Sequence, residues 1–357
     1  MSDAAAVLDD PTTIARLDAE DLLGRIEGLP EDCEAAWRRH RTLELPAAHT
    51  SVRQVVLAGM GGSAIAADVL RAIAAPGSHK PVHLVRGYDL PAFVDDASLV
   101  VACSHSGNTE ETLSAYEQAL ATGARTVVVT KGGRLLELAQ AAGAPAVVYE
   151  YEGGPRSAIG HQLMALLAIG ERVGLLGSQS DAVAEAVTLM REQRAELAAG
   201  VPAARNPAKQ LAVRLAGRLP VVVGGGPLAV AAYRWKTQLN ENSKVWSLYE
   251  ELPELDHNTI VGFGLPESVV RLLHVVFLGH PGLPPRLLLR YDGTADALSD
   301  AGVAHERVDA RGTSTAAQVL TGVYQGDWVS FYLAMLNGVD PSPVTPIEKL
   351  KERLAGG

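Results

Sequence analysis

The segment Ser104-His105-Ser106-Gly107-Asn108-Thr109-Glu110-Glu111 gathers hydroxyls and a glycine where chemistry needs them. It follows the apolar run Leu99–Cys103 and precedes a helix predicted to start near Thr109. Parallel sheets bind ligands beyond the carboxyl ends of their strands, which is where this loop falls. Ser104, Ser106 and Thr109 supply O–H donors, Gly107 lets the backbone come close, and Asn108 sits among them. Free amides at the helix start would favour an anion by about 0.3–1 kcal/mol, and up to ~2 kcal/mol when partly buried. The chemistry is that of a neutral phosphate cradle that needs no lysine. Ser106 or Thr109 would also serve as a helix N-cap, with Glu110 and Glu111 in the first turn.

A second turn, Gly59-Met60-Gly61-Gly62-Ser63, follows the apolar run Val55–Ala58. Gly61, Gly62 and Ser63 could approach the same anion. By glycines alone it could be a dinucleotide loop, but Ala64 stands where G-x-G-x-x-G requires its third glycine. No Gly-Lys-Ser/Thr follows, so no nucleotide is expected.

These loops need strands and helices to aim them. Residues 12–45 carry apolar residues at helical spacing and predict two helices forming a packing arm. From about Arg53, short apolar runs alternate with helical stretches: Val55–Ala58, Val82–Val85, Leu99–Cys103, Thr126–Val129 and Ala146–Tyr149. Helix covers about 157–200, interrupted near Gly174–Ser178. Strand-like runs return at Pro220–Val223, Leu272–Leu278 and Val303–Val308, then a helix near Ser314–Asn337 and another from Thr345. Val221-Val222-Val223-Gly224-Gly225-Gly226 repeats the strand and glycine turn at Val55–Gly62. The expectation is α/β, two parallel sheets flanked by helices. The parts are an arm over 1–48, a first domain over 49–175, a helical connection over 176–210 and a second domain over 211–357.

The chain has 357 residues, 47% hydrophobic and 20% charged, enough for two domains. Its net charge of −10 argues against nucleic acid or an anionic membrane as partner. Two cysteines, Cys33 and Cys103, are too few for a disulfide framework and suit a reducing cytoplasm. The N-terminus lacks a basic-then-apolar signal pattern, and no apolar run is long enough to span a bilayer. The ten histidines show no metal-ligand spacing, so no metal is expected.

Gly59-Met60-Gly61-Gly62-Ser63-Ala64-Ile65 together with Ser104-x-Ser106-Gly107-Asn108-Thr109-Glu110-Glu111 resembles the sugar isomerase (SIS) domain. More narrowly, the chain resembles the bifunctional phosphoglucose/phosphomannose isomerases. The likeness runs through Pro155-Arg156-Ser157-Ala158, Asn240-Glu241-Asn242, Glu251-Leu252-Pro253-Glu254-x-x-His257-Asn258, Pro341-x-Pro343 and Ile347-x-x-Leu350-Lys351. It covers about residues 50–355. The resemblance implies two SIS domains and metal-free aldose–ketose isomerisation of glucose 6-phosphate or mannose 6-phosphate through a cis-enediolate. It implies Glu241 as the base between C1 and C2, Arg156 as the enediolate stabiliser, and His257 as a ring-opening group reaching across a homodimer. A non-catalytic sugar-phosphate sensor is the alternative, although a sensor would not need Glu241, His257 and Lys351 together.

The residues add their own reading. Glu241 closes the helix after the second glycine turn, where the macrodipole opposes a carboxylate, a placement that suits a proton-accepting base. A solvated glutamate beside a capping Asn240 or Asn242 fits the same pattern. Ile347, Leu350, Lys351 and Leu354 share one helical stripe, with Lys349 opposite. Lys351 is thus expected to face protein and to be the second ring-opening group. His105 stands where the family carries an aromatic, and Ala67 where it often carries glycine. His83 and His161 are expected to be packing residues.

Overall fold

The structure, a computed structural model, describes residues 2–355. β1 (Gln54–Gly59), β2 (Val82–Val85), β3 (Ser98–Ser104), β4 (Arg125–Thr130) and β5 (Ala146–Val148) form a parallel sheet in the order β2-β1-β3-β4-β5. β6 (Leu219–Gly225), β7 (Leu248–Leu252), β8 (Leu273–Gly279) and β9 (Ala304–Asp309) form a second parallel sheet, ordered β7-β6-β8-β9. The expected class, α/β with two helix-flanked parallel sheets, is the observed one. β7 was not foreseen. Its sequence, Leu-Tyr-Glu-Glu-Leu, is an edge strand with Leu248 and Glu251 exposed, so it lacks the apolar run of a central strand.

Contacts divide the chain into two compact units. One holds Gly28–Leu189 and Gly312–Val319, with the first sheet. The other holds the residues up to Glu27, Met190–Arg311 and those from Leu320 onward, with the second. In the first unit, Val56, Ala58, Val100 and Ala102 face the helices Glu110–Ala121 and Gly133–Ala141 through Ala115, Tyr116, Leu135 and Ala139. The helix Ile159–Arg172 packs against Gly61–Ala74 and Leu29–His40. Buried Cys33 and Cys103 are both free thiols, and burial raises both, Cys103 to about 12.

The N-terminal stretch differs from the expected pair of helices. Over 12–45 it forms three helices, Pro11–Leu17, Leu22–Glu27 and Leu29–His40, and Ser2–Asp9 precedes them. Asp10 caps Pro11–Leu17, accepting from the Thr12 N–H, and Asp18 accepts from the amides of Leu22 and Leu23, each at 2.8 Å. These side-chain bonds to backbone break the helical run into short pieces. In the second unit, the fully buried Lys209 ammonium donates to Asp9 Oδ1 at 2.9 Å and to the Ala199 carbonyl at 2.8 Å. That pair pins the helix Ser2–Asp9 to Pro207–Leu215. No helix among the described residues is long and apolar enough to cross a membrane.

β9 is held to its neighbours by Glu306, which accepts from Arg214 Nε at 2.7 Å and lies 2.9 Å from His274 Nε2. Burial alone would raise this carboxyl, but the His274 and Arg214 hydrogen bonds outweigh it and hold it at about 2, below its ordinary 4.5. A depressed folded-state value contributes stability that is present above pH 4.5 and lost as pH falls toward 2. Glu306→Gln is therefore expected to cost about 2 kcal/mol at pH 7, with the deficit shrinking below about pH 4.5. Urea unfolding of both proteins across that range checks this, and a pH-independent deficit would contradict it.

Candidate functional site

Strand order in the first sheet reverses between β1 and β3, and open α/β sheets bind ligands at such a point. Gly59 pairs in register with Cys103, so both candidate loops leave the sheet side by side. Gly61 has φ +51 and open space where a Cβ would go. It starts the helix Gly61–Ala74, whose N-cap Met60 provides no side-chain hydrogen bond. Gly62 is different. A Cβ there would lie 2.6 Å from the Pro155 carbonyl oxygen and 3.2 Å from Arg156 Cα. Its missing side chain thus brings the Pro155–Arg156 backbone against the glycine turn. Arg156 is buried and lies in the turn ahead of the helix Ile159–Arg172 rather than on it.

The hydroxyl loop has a defined internal geometry. Ser104 Oγ accepts from the Gly107 N–H at 3.0 Å and shares a 2.9 Å hydrogen bond with Thr109 Oγ1. Thr109 holds the N-cap position of Glu110–Ala121, yet its hydroxyl makes no capping bond to that helix. The N-cap alternative for Thr109 is therefore not what the chain adopts. The first amides of that helix remain uncapped by it, as an anion site requires. Ser106 is exposed, and its Oγ accepts from the Asn108 N–H at 3.2 Å. Asn108 Oδ1 accepts from the Arg134 N–H at 3.0 Å, so it caps the neighbouring helix Gly133–Ala141. Gly107 has φ +71, and a Cβ there would fall 1.7 Å from the Gly132 carbonyl oxygen. The β3 and β4 loops are pressed together at that point.

Below these loops lies a polar row that residue spacing does not reveal. His105 Nδ1 is 3.0 Å from Tyr149 Oη, and His105 Nε2 is 3.0 Å from the Gly153 carbonyl oxygen. Gln162 Nε2 donates to Tyr149 Oη at 2.8 Å and to Ser63 Oγ at 2.9 Å. Ser63, expected only as a hydroxyl of the second turn, is thus buried and tied to a helix about a hundred residues away in sequence. The one available signal was a lone glutamine in the apolar helix Ile159–Arg172. His161 stacks on Tyr149 at 5.7 Å and His83 lies 4.4 Å from Phe93, as packing residues do.

The other three candidates lie in the second unit. Glu241 is half-buried at the last residue of the helix Ala229–Glu241. A buried network holds that end. Arg234 and Gln238 donate to Asp327 at 3.0 and 2.8 Å, and Asn242 donates to Ser330 Oγ at 3.0 Å. Asn240 Oδ1 accepts from the Ser247 N–H and Oγ. Lys244, at φ +56, donates to the carbonyls of Glu241, Pro341 and Pro343. The lysine ties the end of the Glu241 helix to the segment leading into Thr345–Ala355.

His257 is exposed at the end of the 3₁₀ turn Glu254–His257. Asp256 anchors that turn by accepting from Arg290 at 2.7 Å and Thr294 at 2.8 Å. Lys351 departs from expectation. It is on the predicted helix and stripe, but Ile347, Leu350 and Leu354 are 43%, 57% and 54% exposed. Lys351 and Lys349 are both exposed, because nothing in this chain covers the stripe among the described residues. At the second glycine turn Gly225 is buried while Gly226 is exposed. Leu287 and the Tyr291 hydroxyl lie 3.1–3.2 Å from a Cβ on Gly225, and Leu283 and Leu287 lie over Gly226. Among the described residues, no three His, Cys, Asp or Glu side chains are grouped to hold a metal.

The SIS domain family model matches residues 50–172, and the bacterial phospho-glucose isomerase C-terminal SIS domain model matches residues 204–354. A hypothetical protein from Thermus thermophilus shares the fold with TM-score 0.74 at 19% identity, over 99% of this chain and 94% of that one. Fold and loops together define a two-SIS-domain protein. A bifunctional phosphoglucose/phosphomannose isomerase of Caldicellulosiruptor bescii is 36% identical over 331 residues, 92% of this chain and 98% of the relative. One of Aquifex aeolicus is 36% identical over 308 residues, 85% and 91% of the two chains. The chain belongs to the bifunctional phosphoglucose/phosphomannose isomerase family.

The loop interlock can be tested directly. Gly107→Ala must both strain a left-handed backbone and part the β3 and β4 loops. We expect a loss of about 3 kcal/mol in urea unfolding. A loss under about 1 kcal/mol would show that the two loops separate freely.

Proposed function

We propose that this chain interconverts glucose 6-phosphate and mannose 6-phosphate with fructose 6-phosphate through a cis-enediolate, without a metal. Membership of the family makes it an enzyme of the isomerase class. The observation that carries the substrate reading is the placing of two glycine and hydroxyl turns side by side at the strand-order reversal of one sheet. Ser63, Ser104, Ser106 and Thr109 would donate hydroxyls to the phosphate. Gly61 and Gly62 would expose backbone, and Gly107 and Asn108 would hold the loop's shape. The second glycine turn, Gly225-Gly226-Pro227-Leu228, carries no hydroxyl, which favours one phosphate cradle per chain.

Four residues take the chemical roles. Glu241 moves the proton between C1 and C2, and the network at its helix end would keep its carboxylate in place. Arg156 stabilises the enediolate. His257 and Lys351 transfer the protons that open the ring. His257 serves a second copy of the chain in a homodimer, and its exposed turn, flanked by Val261 (88% exposed) and Leu265 (78% exposed), supports that pairing. The sequence segments 1–48, 49–175, 176–210 and 211–357 are our working division of the enzyme. Two buried free thiols favour a reducing cytoplasm.

The test is a coupled assay on EDTA-treated protein with each aldose phosphate, and Glu241→Gln as the comparison. Turnover of both sugars should survive EDTA. Glu241→Gln should lower kcat by about 10²–10⁴-fold, the range expected for a lost acid–base group. Turnover that EDTA abolishes, or that Glu241→Gln retains, would sink the mechanism.

A further inference from the structure

The buried row from Gly153 to Ser63 has only one consistent set of proton positions. A carbonyl oxygen accepts and never donates, so the 3.0 Å contact with Gly153 places the His105 proton on Nε2. Burial, reinforced by the Lys131 charge, lowers His105 to about 4, so the ring is neutral near pH 7 and Nδ1 can only accept. The Tyr149 hydroxyl, 3.0 Å away and kept protonated by burial, must give Nδ1 its hydrogen. Tyr149 Oη is then left as an acceptor. The group 2.8 Å from it on Gln162 must therefore be the amide nitrogen, not the oxygen. The second hydrogen of that nitrogen points at Ser63 Oγ, 2.9 Å away. Ser63 accepts in that bond, and its own hydrogen is left to be donated.

The opposite orientation would have the opposite effect. A Gln162 oxygen facing Ser63 would take the serine hydrogen. The serine would then turn only lone pairs toward an incoming anion, which repels it. We propose that the His105–Tyr149–Gln162 relay makes Ser63 an obligate hydrogen-bond donor to the substrate phosphate, with Gln162 as its positioning residue. The proposal rests on the reading of the Gly61–Ser63 turn as part of the phosphate cradle. It gives His105 a task, setting the direction of the row from its far end. It also couples the hydroxyl loop to the glycine turn, since His105 lies within Ser104–Thr109 and Ser63 ends the other turn.

The test is a double-mutant cycle on full-length protein with Ser63→Ala, Gln162→Met and the two combined. The readouts are kcat and KM for fructose 6-phosphate, the inhibition constant of inorganic phosphate, and the urea midpoint. Hydrogen bonds to charged groups are worth about 1.5–3 kcal/mol, so each single variant should raise KM and the phosphate inhibition constant by roughly tenfold or more. kcat should change little, because the phosphate is held equally in ground and transition states. The combined variant should be no worse than Ser63→Ala alone, since both act on one bond. Tyr149→Phe, which keeps the ring, should raise KM in the same direction and carries the test if Gln162→Met does not fold. Unchanged KM and phosphate inhibition in whichever relay variant folds, or fully additive losses in the cycle, would overturn the relay. Wild-type protein that neither isomerises nor responds to phosphate would overturn the cradle reading and the relay with it.

Discussion

A Cβ on Gly62 would lie 2.6 Å from the carbonyl oxygen of Pro155, and much of the arrangement around the two candidate loops follows from that contact. The bare backbone of Gly62 lets the Pro155–Arg156 turn seat against the start of the helix Gly61–Ala74. That seat sets where Ile159–Arg172 begins, and the helix in turn delivers Gln162 to Ser63. A single methyl group would have to push a backbone, not a pliable side chain, and close-packed interiors resist that. Gly107 makes a similar demand against Gly132 on the other loop. Gly62 and Gly107 therefore act first as packing elements, whereas Gly61 has open space where a Cβ would go.

A cradle of this kind would answer the electrostatic problem set by the chain's charge of −10. It would draw an anion with hydroxyls and helix amides rather than with surface lysines. Such dipoles act over short range, so they work where the ligand sits without changing the field outside. They also have to be aimed in advance, because a hydroxyl can offer either a hydrogen or a lone pair. In the first unit, Ser104 is hydrogen-bonded to Gly107 and Thr109, and Ser63 to Gln162.

The second unit applies the same principle to a charged group. Glu241 closes a helix whose dipole disfavours it. The end is kept in place by Arg234, Gln238 and Asn242 bonded to Asp327 and Ser330, and by Lys244 on the helix's last carbonyl. Lys244 does this from a left-handed backbone, which costs a non-glycine residue stability but lets its ammonium reach three carbonyls.

Much was legible in the chain itself. The β-rich apolar runs located eight strands, and the five central ones, β1, β3, β4, β6 and β8, are buried on both faces and read as the unbroken hydrophobic stretches. The hydroxyl loop and glycine turn were legible because they are local, each a few consecutive residues whose chemistry does not depend on distant partners. β7 escaped because Glu250 and Glu251 interrupt its apolar residues, and the helices over 12–45 were miscounted because the Asp18 side chain, bonded to the amides of Leu22 and Leu23, breaks a periodicity that otherwise continues. Periodicity placed Lys351 on an apolar stripe, but whether anything covers a stripe is decided by the packed chain, and among the described residues nothing does. Tertiary structure alone decided that Thr109 turns to Ser104 instead of its own helix, that Leu287 and Tyr291 pack against Gly225, and that Tyr149 and Gln162 join His105 to Ser63. The row from His105 to Ser63 joins residues tens of positions apart, and a hydrogen bond between distant side chains leaves no period or spacing to read.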